Sequence, residues 1–340
     1  MTRLSDAYSN AGVDVEAADR AIAQARRSWP MAAADRFVGL SEFGAVTQLP
    51  SDMEQPLIVT STDGVGTKTE IARLLNRYDT IGQDLVAMCA DDVVCHGAQP
   101  TYFLDYIAVG KVHQERVSAL IGGVAKACAE IGCVLVGGET AEHPGTMADD
   151  AFDLAGFCAG FVEQKYLIDR GQSREGDAIL GLASSGLHSN GFSLIRKLID
   201  EHKLPLTADL LEPTRLYSQV VLDVADAVRG NHKRIGGLAH ITGGGLRRNI
   251  PRALPDNLTA RIRPVSWSQP PIFDKVAVAA GMTDQEMRAT FNCGIGFAIV
   301  LEPGAVEIAL DVIRDADIEA WEIGIVGPTH YFDGERYVEA

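Results

Sequence analysis

Apolar positions recur at helical spacing over residues 80–96 and 114–131, and each run leads into a short apolar stretch, 101–109 and 133–136, that suits a buried strand. A first strong strand precedes them at 56–60, and 152–162 reads as one more. Ahead of these, the Ala-rich stretch 15–27 carries acids early and arginines late, as the helix dipole favours, and Pro30 closes it. Residues 31–50 have scattered glycines and no clear period, and read as a mobile segment placed to act as a lid. The chain turns polar over 166–176, after which a second alternation begins. Its strands are expected at 178–183, 259–263, 294–301 and 321–326, and its helices at 192–202, 217–229, 244–254 and 305–314. The pattern predicts an α/β chain with α+β-like mixed sheets in two units, an N-terminal one over 1–168 and a C-terminal one over 169–340.

Charge narrows the partners. Across 340 residues, 46 acids face 30 lysines and arginines, a formal net charge of -16 with no basic block. A nucleic-acid or anionic membrane surface would be repelled, whereas a small phosphorylated molecule can still be neutralised locally by N–H groups, a few cations and metal ions. The six cysteines form no CxxC pair and no zinc spacing with histidine, so they read as buried, reduced thiols of a cytoplasmic protein. No signal-peptide core and no apolar run of about 18 residues is present, so no membrane span is expected.

Chemistry concentrates where strands run into glycines. Ser61-Thr62-Asp63-Gly64-Val65-Gly66-Thr67-Lys68 follows a strand and precedes a helical pattern; its glycines let N–H groups approach an anion, Lys68 adds charge, and Asp63 can hold a cation between phosphates. The spacing matches neither a Walker loop nor a dinucleotide fingerprint, and a tight turn with a surface lysine is the competing reading. Asp84, Asp91 and Asp92 share the next helix. Asp84 and Asp91 lie on one face and Asp92 sits near the apolar stripe, where it requires a partner: magnesium between the acids, or solvent at the helix edge. In 135–142 an apolar strand runs into Gly137, Gly138 and Glu139, whose carboxylate is in a position to join the same cluster.

The second half repeats this logic twice. Ser184 to Gly191 brings hydroxyls and free N–H groups to a helix start, which suits a phosphate or ribose, and His188 is either a proton-transfer group or a loop histidine that only hydrogen-bonds. Thr242, Gly243, Gly244 and Gly245 again precede a helix and admit either an anion or tight packing. Asn292, before a strand, either contacts substrate or forms the turn.

In order, Tyr8 to Asp14, STDGVGTK at 61–68, DLVAMCADD at 84–92, FLDYIAVGK at 103–111, LVGGETAEHPG at 135–145, SSGLHSNG at 184–191, ITGGGLRRNIPRALP at 241–255 and FNCGIG at 291–296 resemble the phosphoribosylformylglycinamidine cyclo-ligases over nearly the whole chain. The resemblance implies a two-domain PurM-like architecture, working as a homodimer whose N-terminal domains join their sheets across the two-fold axis. It implies that ATP, with Mg2+, phosphorylates the formyl amide oxygen of formylglycinamidine ribonucleotide, that an amidine nitrogen then closes the ring, and that ADP, phosphate and aminoimidazole ribonucleotide leave. By motif match, Asp63, Asp91, Asp92 and Glu139 go to the metal, with Gly64, Gly66, Thr67 and Lys68 around the phosphates. His188, Lys68 and Asp92 are carried as catalytic, and Arg26, Ser189, Asn190, Gly191, Thr242 to Gly245 and Asn292 as substrate-binding.

Three positions depart from the family pattern. Gly39-Leu40-Ser41-Glu42-Phe43-Gly44 stands where a GGFG loop is frequent, Arg26 where lysine is frequent, and Asp91 where asparagine is frequent. Competing readings are a superfamily relative of the thiamine-phosphate kinase type and a catalytically silent nucleotide-binding scaffold. The HSNG and ITGGG motifs favour the cyclo-ligase over the first, and the retained acids, Lys68 and His188 favour it over the second.

Overall fold

The computed structural model describes residues 15–27, 37–40 and 44–340. The Tyr8 to Asp14 motif, residues 41–43 of the loop that departs from the family pattern, and the side chain of Arg26 lie outside the described residues.

Helix α1 (Val15–Arg27) has the predicted bounds. The stretch 31–50, which lacks a period in sequence, contains an antiparallel pair, β1 (Phe37–Leu40) with β2 (Ala45–Thr47). Then follow β3 (Pro56–Gly64), α2 (Lys68–Leu75), α3 (Ile81–Val94), β4 (Gln99–Val109), α4 (Gln114–Glu130), β5 (Val134–Glu142) and β6 (Phe152–Glu163). Their four strands form a mixed sheet in the order β3-β6-β4-β5, antiparallel except for β4 beside β5. One face carries α3 and α4, with Ala17 and Ala21 of α1 in the same core. The close approach of α3 needs Gly156 on β6, because a Cβ there would stand 2.5 Å from Phe103 and 3.0 Å from Cys89 Sγ. The opposite face leaves Ile58, Leu104, Tyr106 and Phe157 exposed, at 62%, 40%, 42% and 40%.

The second half holds β7 (Ala178–Ala183), α5 (Phe192–Asp200), α6 (Ser218–Gly230), β8 (Ile235–His240), α7 (Gly245–Asn249), β9 (Leu258–Ile262), α8 (Ile272–Ala280), α9 (Asp284–Thr290), β10 (Ile295–Leu301), α10 (Val306–Asp315), β11 (Ala320–Pro328) and β12 (Tyr337–Glu339). Six strands run in the order β12-β9-β11-β7-β10-β8, antiparallel except for β12 on β9. The central strands are continuous apolar runs because both faces are covered. Leu180, Leu182, Phe297 and Ile299 pack with α6 and α10 on one side; Ile179, Ala298 and Val300 pack with Leu246 and Ile250 on the other. The helix expected over 244–254 stops at Asn249 and tightens into a 3₁₀ turn at Ile250–Ala253, where Pro251 has no N–H to continue the ladder. Strand β8 and helices α8 and α9 were not foreseen. The run Ile235-Gly236-Gly237-Leu238-Ala239-His240 has too few branched residues to read as a strand.

Candidate active site

The glycine turn after β3 faces the start of α5. Gly66 takes φ +60, and Thr67 Oγ1 lies 3.2 Å from Ser193 Oγ, so the turns 63–68 and 184–191 meet. Lys68 does not stand open to a phosphate. It is fully buried, its Nζ donating to Asp84 Oδ1 at 2.9 Å and to the Glu212 carbonyl at 2.7 Å. Burial lowers its pKa, against the opposing pull of Asp84.

The three acids of α3 divide between two tasks. Asp84 Oδ1 accepts from Lys68 and from both Thr214 N, at 2.8 Å, and Thr214 Oγ1, at 2.6 Å. Asp91, one face-repeat later, is also fully buried: its carboxylate accepts from Tyr217 N at 3.2 Å and Ser218 Oγ at 2.8 Å, at the start of α6. Burial pushes Asp91 up to about 6, although His240, Ser218 and Tyr217 oppose this. Both acids therefore pin the 212–218 segment of the second half onto α3. Asp92 points elsewhere. One-third exposed, it accepts a hydrogen bond from His240 Nδ1 at 3.1 Å.

Asp63, at the end of β3, feels Asp92. Burial raises its pKa and the Asp92 charge adds to the rise, while the Gly64 N–H, 2.7 Å from Oδ1, and His240 oppose it. Glu139 does not join them. Asp63, Gly156, Asp105 and Gly138 share one row across the sheet, on the face covered by α3; Glu139 pairs with Tyr106 in the next row and so projects from the open face. There its Oε1 accepts from Thr140 N at 3.0 Å. The expected four-carboxylate set thus separates into Asp63 with Asp92 in one place, Asp91 inward and Glu139 on the far face. Among the described residues no three His, Cys, Asp or Glu side chains form a metal cluster.

In the second half, His188 takes φ +61 and is buried, with Nε2 accepting from Ser185 N at 3.2 Å. Burial first, then the charges of His240, Lys68 and Arg215, hold its pKa well below the ordinary value. Ser189 Oγ lies 3.0 Å from Thr214 Oγ1. Asn190 stands between Met88 and the second glycine turn, its Oδ1 3.4 Å from where a Gly243 Cβ would be, and Gly191 at φ +80 starts α5. Thr242 and Gly243 face outward, whereas Gly245 is buried; a Cβ there would stand 2.2 Å from the Arg288 carbonyl, so the third glycine serves packing. Asn292 is likewise internal, accepting from Ser184 Oγ and Gly294 N at 2.9 Å and donating to the Gly186 carbonyl at 2.9 Å. These bonds hold the turn that leads into β10.

His240 is the group that the motifs did not single out. It ends β8 immediately before the 242–245 turn, and only the β8–α7 turn position could have drawn attention to it. Burial opposes its charge, yet the Asp92 hydrogen bond and the charges of Asp91, Asp92 and Asp63 raise its pKa. Its Nε2 is buried without a partner among the described residues. Asp92 and His240 border a cavity of about 300 Å³ between the two halves, with Ser61 on one wall and Asn249 and Arg252 on the other.

The two mixed-sheet units have their counterparts in the two domains of the AIR synthase related proteins. Residues 44–162 match the N-terminal domain of that family and residues 174–335 its C-terminal domain. The chain belongs to the phosphoribosylformylglycinamidine cyclo-ligase family. It is 43% identical over 332 residues to the phosphoribosylformylglycinamidine cyclo-ligase of Pseudothermotoga lettingae, covering 94% of this chain and 97% of the relative. Among solved structures, the thiamine-monophosphate kinase of Stenotrophomonas maltophilia shares the fold at TM-score 0.66 and 17% identity, with 94% of each chain covered. The hydrogenase maturation protein HypE in complex with ATP superposes at TM-score 0.64 and 19% identity, covering 88% of this chain and 84% of that one.

Proposed function

We propose that the chain converts formylglycinamidine ribonucleotide to 5-aminoimidazole ribonucleotide with ATP and magnesium, releasing ADP and phosphate. The observation that carries this reading is the meeting of Asp92 and His240 on the cleft between the halves, with the Asp63 carboxyl, at the end of β3, feeling the charge of both. An amide oxygen is a poor leaving group until the γ-phosphoryl group of ATP is transferred to it. The amidine nitrogen then attacks the formyl carbon, the C–O bond breaks, and phosphate departs as the ring closes. Phosphoryl transfer of this kind needs mainly positioning and charge neutralisation.

The donor set suits magnesium. Asp63 and Asp92 present hard oxygen ligands; burial chiefly, and the Asp92 charge to a lesser degree, raise the Asp63 pKa, and a divalent cation held by both would offset these costs. When bound, the ion would offset charge on the phosphoryl oxygens. His240 orients the Asp92 carboxylate through Nδ1. Gly66 and Thr67 line the approach to the phosphates, and Lys68 anchors that turn from below through Asp84. Ser189, Asn190, Gly191, Thr242, Gly243 and Gly244 are assigned to the substrate side, where Asn190 approaches the 242–245 turn at Gly243.

The chain works as a homodimer in this reading, supported by the open sheet face with Ile58, Leu104, Tyr106 and Phe157. The domain division near residue 168 is supported by two separate sheets, built from 56–163 and 178–339. A cytoplasmic location is supported by the free cysteines, and no described helix is long and apolar enough to cross a membrane.

Purified protein given ATP, magnesium and formylglycinamidine ribonucleotide is expected to form the aminoimidazole product, followed by a colour reaction for the amine, with one ADP per product. ADP formation with thiamine phosphate in place of that substrate would favour the kinase reading, and nucleotide binding without any turnover would favour a scaffold.

A further inference from the structure

We propose that Arg252 is the ligand for the 5′-phosphate of the substrate, and that the cavity between the halves is the seat of the ribose phosphate. This rests on the reading above, which supplies a phosphorylated substrate but does not say which cation meets its dianion. Lys68 is sealed beneath the glycine turn by Asp84, and Arg170, at the cavity rim, is paired with Asp256 at 3.1 Å. Arg252 is exposed, lines the cavity, and makes no ion pair among the described residues.

Its position is built into the fold. Arg252 sits on the 3₁₀ turn Ile250–Ala253, and its Nη1 donates to Asn249 Oδ1 at 3.3 Å. Asn249 is buried and directs its Nδ2 to the carbonyls of Thr242, Gly243 and Gly245 at 3.2, 3.3 and 2.9 Å. One buried amide therefore sets the guanidinium and the glycine turn relative to each other. Arg252 lines the cavity from the second half, and Cys95 and His96 line it from the first. A planar, permanently charged fork suits a phosphate better than an ammonium does. Asp92, on the same cavity, disfavours a phosphate at its own end unless a metal intervenes, which leaves the Arg252 end for the metal-free phosphate.

The shared chemistry is a phosphate group, and its two sources are the ribotide and the nucleotide. Calorimetry on the full chain with ribose 5-phosphate, ribose, and magnesium with a non-hydrolysable ATP analogue separates them. Ribose 5-phosphate is expected to bind the wild type, and about tenfold or more weakly the Arg252→Gln variant, with Arg252→Lys between. Ribose should bind neither, and the analogue should bind all three alike. In turnover, Arg252→Gln should raise KM for the ribonucleotide about tenfold with kcat little changed. Unaltered ribose 5-phosphate affinity in the variant, no binding by the wild type, or a loss confined to the ATP analogue would each overturn the assignment. Arg252-dependent binding without any ring closure would sink the cyclo-ligase reading while leaving this one standing; ring closure with an unchanged KM in Arg252→Gln would do the reverse.

Discussion

Lys68 and Asp84 form a fully buried ion pair, Nζ to Oδ1 2.9 Å, that joins the start of α2 to α3 and, through the Glu212 carbonyl and Thr214, to the second half of the chain. A lysine beside a glycine turn reads in sequence as a phosphate ligand; here its charge holds two units together. Taking one partner of such a pair away leaves the other as an uncompensated buried charge, whereas replacing both leaves none. Asp84→Ala is therefore expected to cost about 3–5 kcal/mol in urea unfolding, and Lys68→Met combined with Asp84→Leu distinctly less than either single change. A cost below about 1 kcal/mol for Asp84→Ala would show that the pair does not clamp the halves.

Adjacent acids on α3 should fail in different ways. Asp92, one-third exposed on the cleft, is expected to lose about a hundredfold or more of ATP-dependent turnover as Asp92→Asn, with the melting temperature preserved. Asp91, buried against Tyr217 N and Ser218 Oγ, is expected to lose about 1–3 kcal/mol of stability as Asp91→Ala, because two donors are left unmatched. Equal loss of turnover at full stability in both variants would return Asp91 to the metal site. Steady-state kinetics paired with thermal melts decide between the outcomes.

This contrast shows where sequence reasoning reached and where it stopped. Strands β3, β4 and β5 were legible because their apolar runs lead into glycines, and α3 was legible because its period is regular. Which of Asp84, Asp91 and Asp92 faces the cleft was not, because it depends on the 212–218 segment, more than a hundred residues away in the chain, docking on α3. That Glu139 and Asp63 of one chain lie on opposite sheet faces was hidden for a related reason: the β-strand period assigns Glu139 to a face only once its register with Tyr106 is known. His240 went unnoticed because β8 has two glycines and an alanine among its six residues, so no strand end was expected there.

Asp105 carries a cost that varies with pH. It lies in the same sheet row as Asp63, with one side-chain oxygen, Oδ2, buried and without a partner among the described residues, and burial raises its pKa from 3.8 to about 7. The folded chain thus binds more protons than the unfolded chain between these values, and the linkage slope is negative: stability falls as pH rises from about 4 to about 7. Asp105→Asn removes the ionisation. The variant is expected to gain about 2 kcal/mol over the wild type at pH 8, with the gap closing below about pH 4, in urea unfolding at each pH. A gap that is constant with pH would show that the carboxyl titrates normally.

The open face of the first sheet supplies a test of assembly that is independent of catalysis. Ile58 on β3, Phe157 on β6 and Leu104 and Tyr106 on β4 alternate with residues that face α3, so their exposure follows from the pleat and not from disorder in the strands. A continuous apolar face of this kind is stable in water when a second surface covers it, and a symmetric partner must offer the same residues. Ile58→Asp combined with Phe157→Asp puts two charges into that face without touching the covered side. The wild type is expected to elute with the mass of two chains in light scattering, and the double variant with the mass of one, while far-ultraviolet circular dichroism is unchanged. A wild-type protein that runs as a single chain at all concentrations would refute the dimer, and a double variant that stays paired would move the interface to another face.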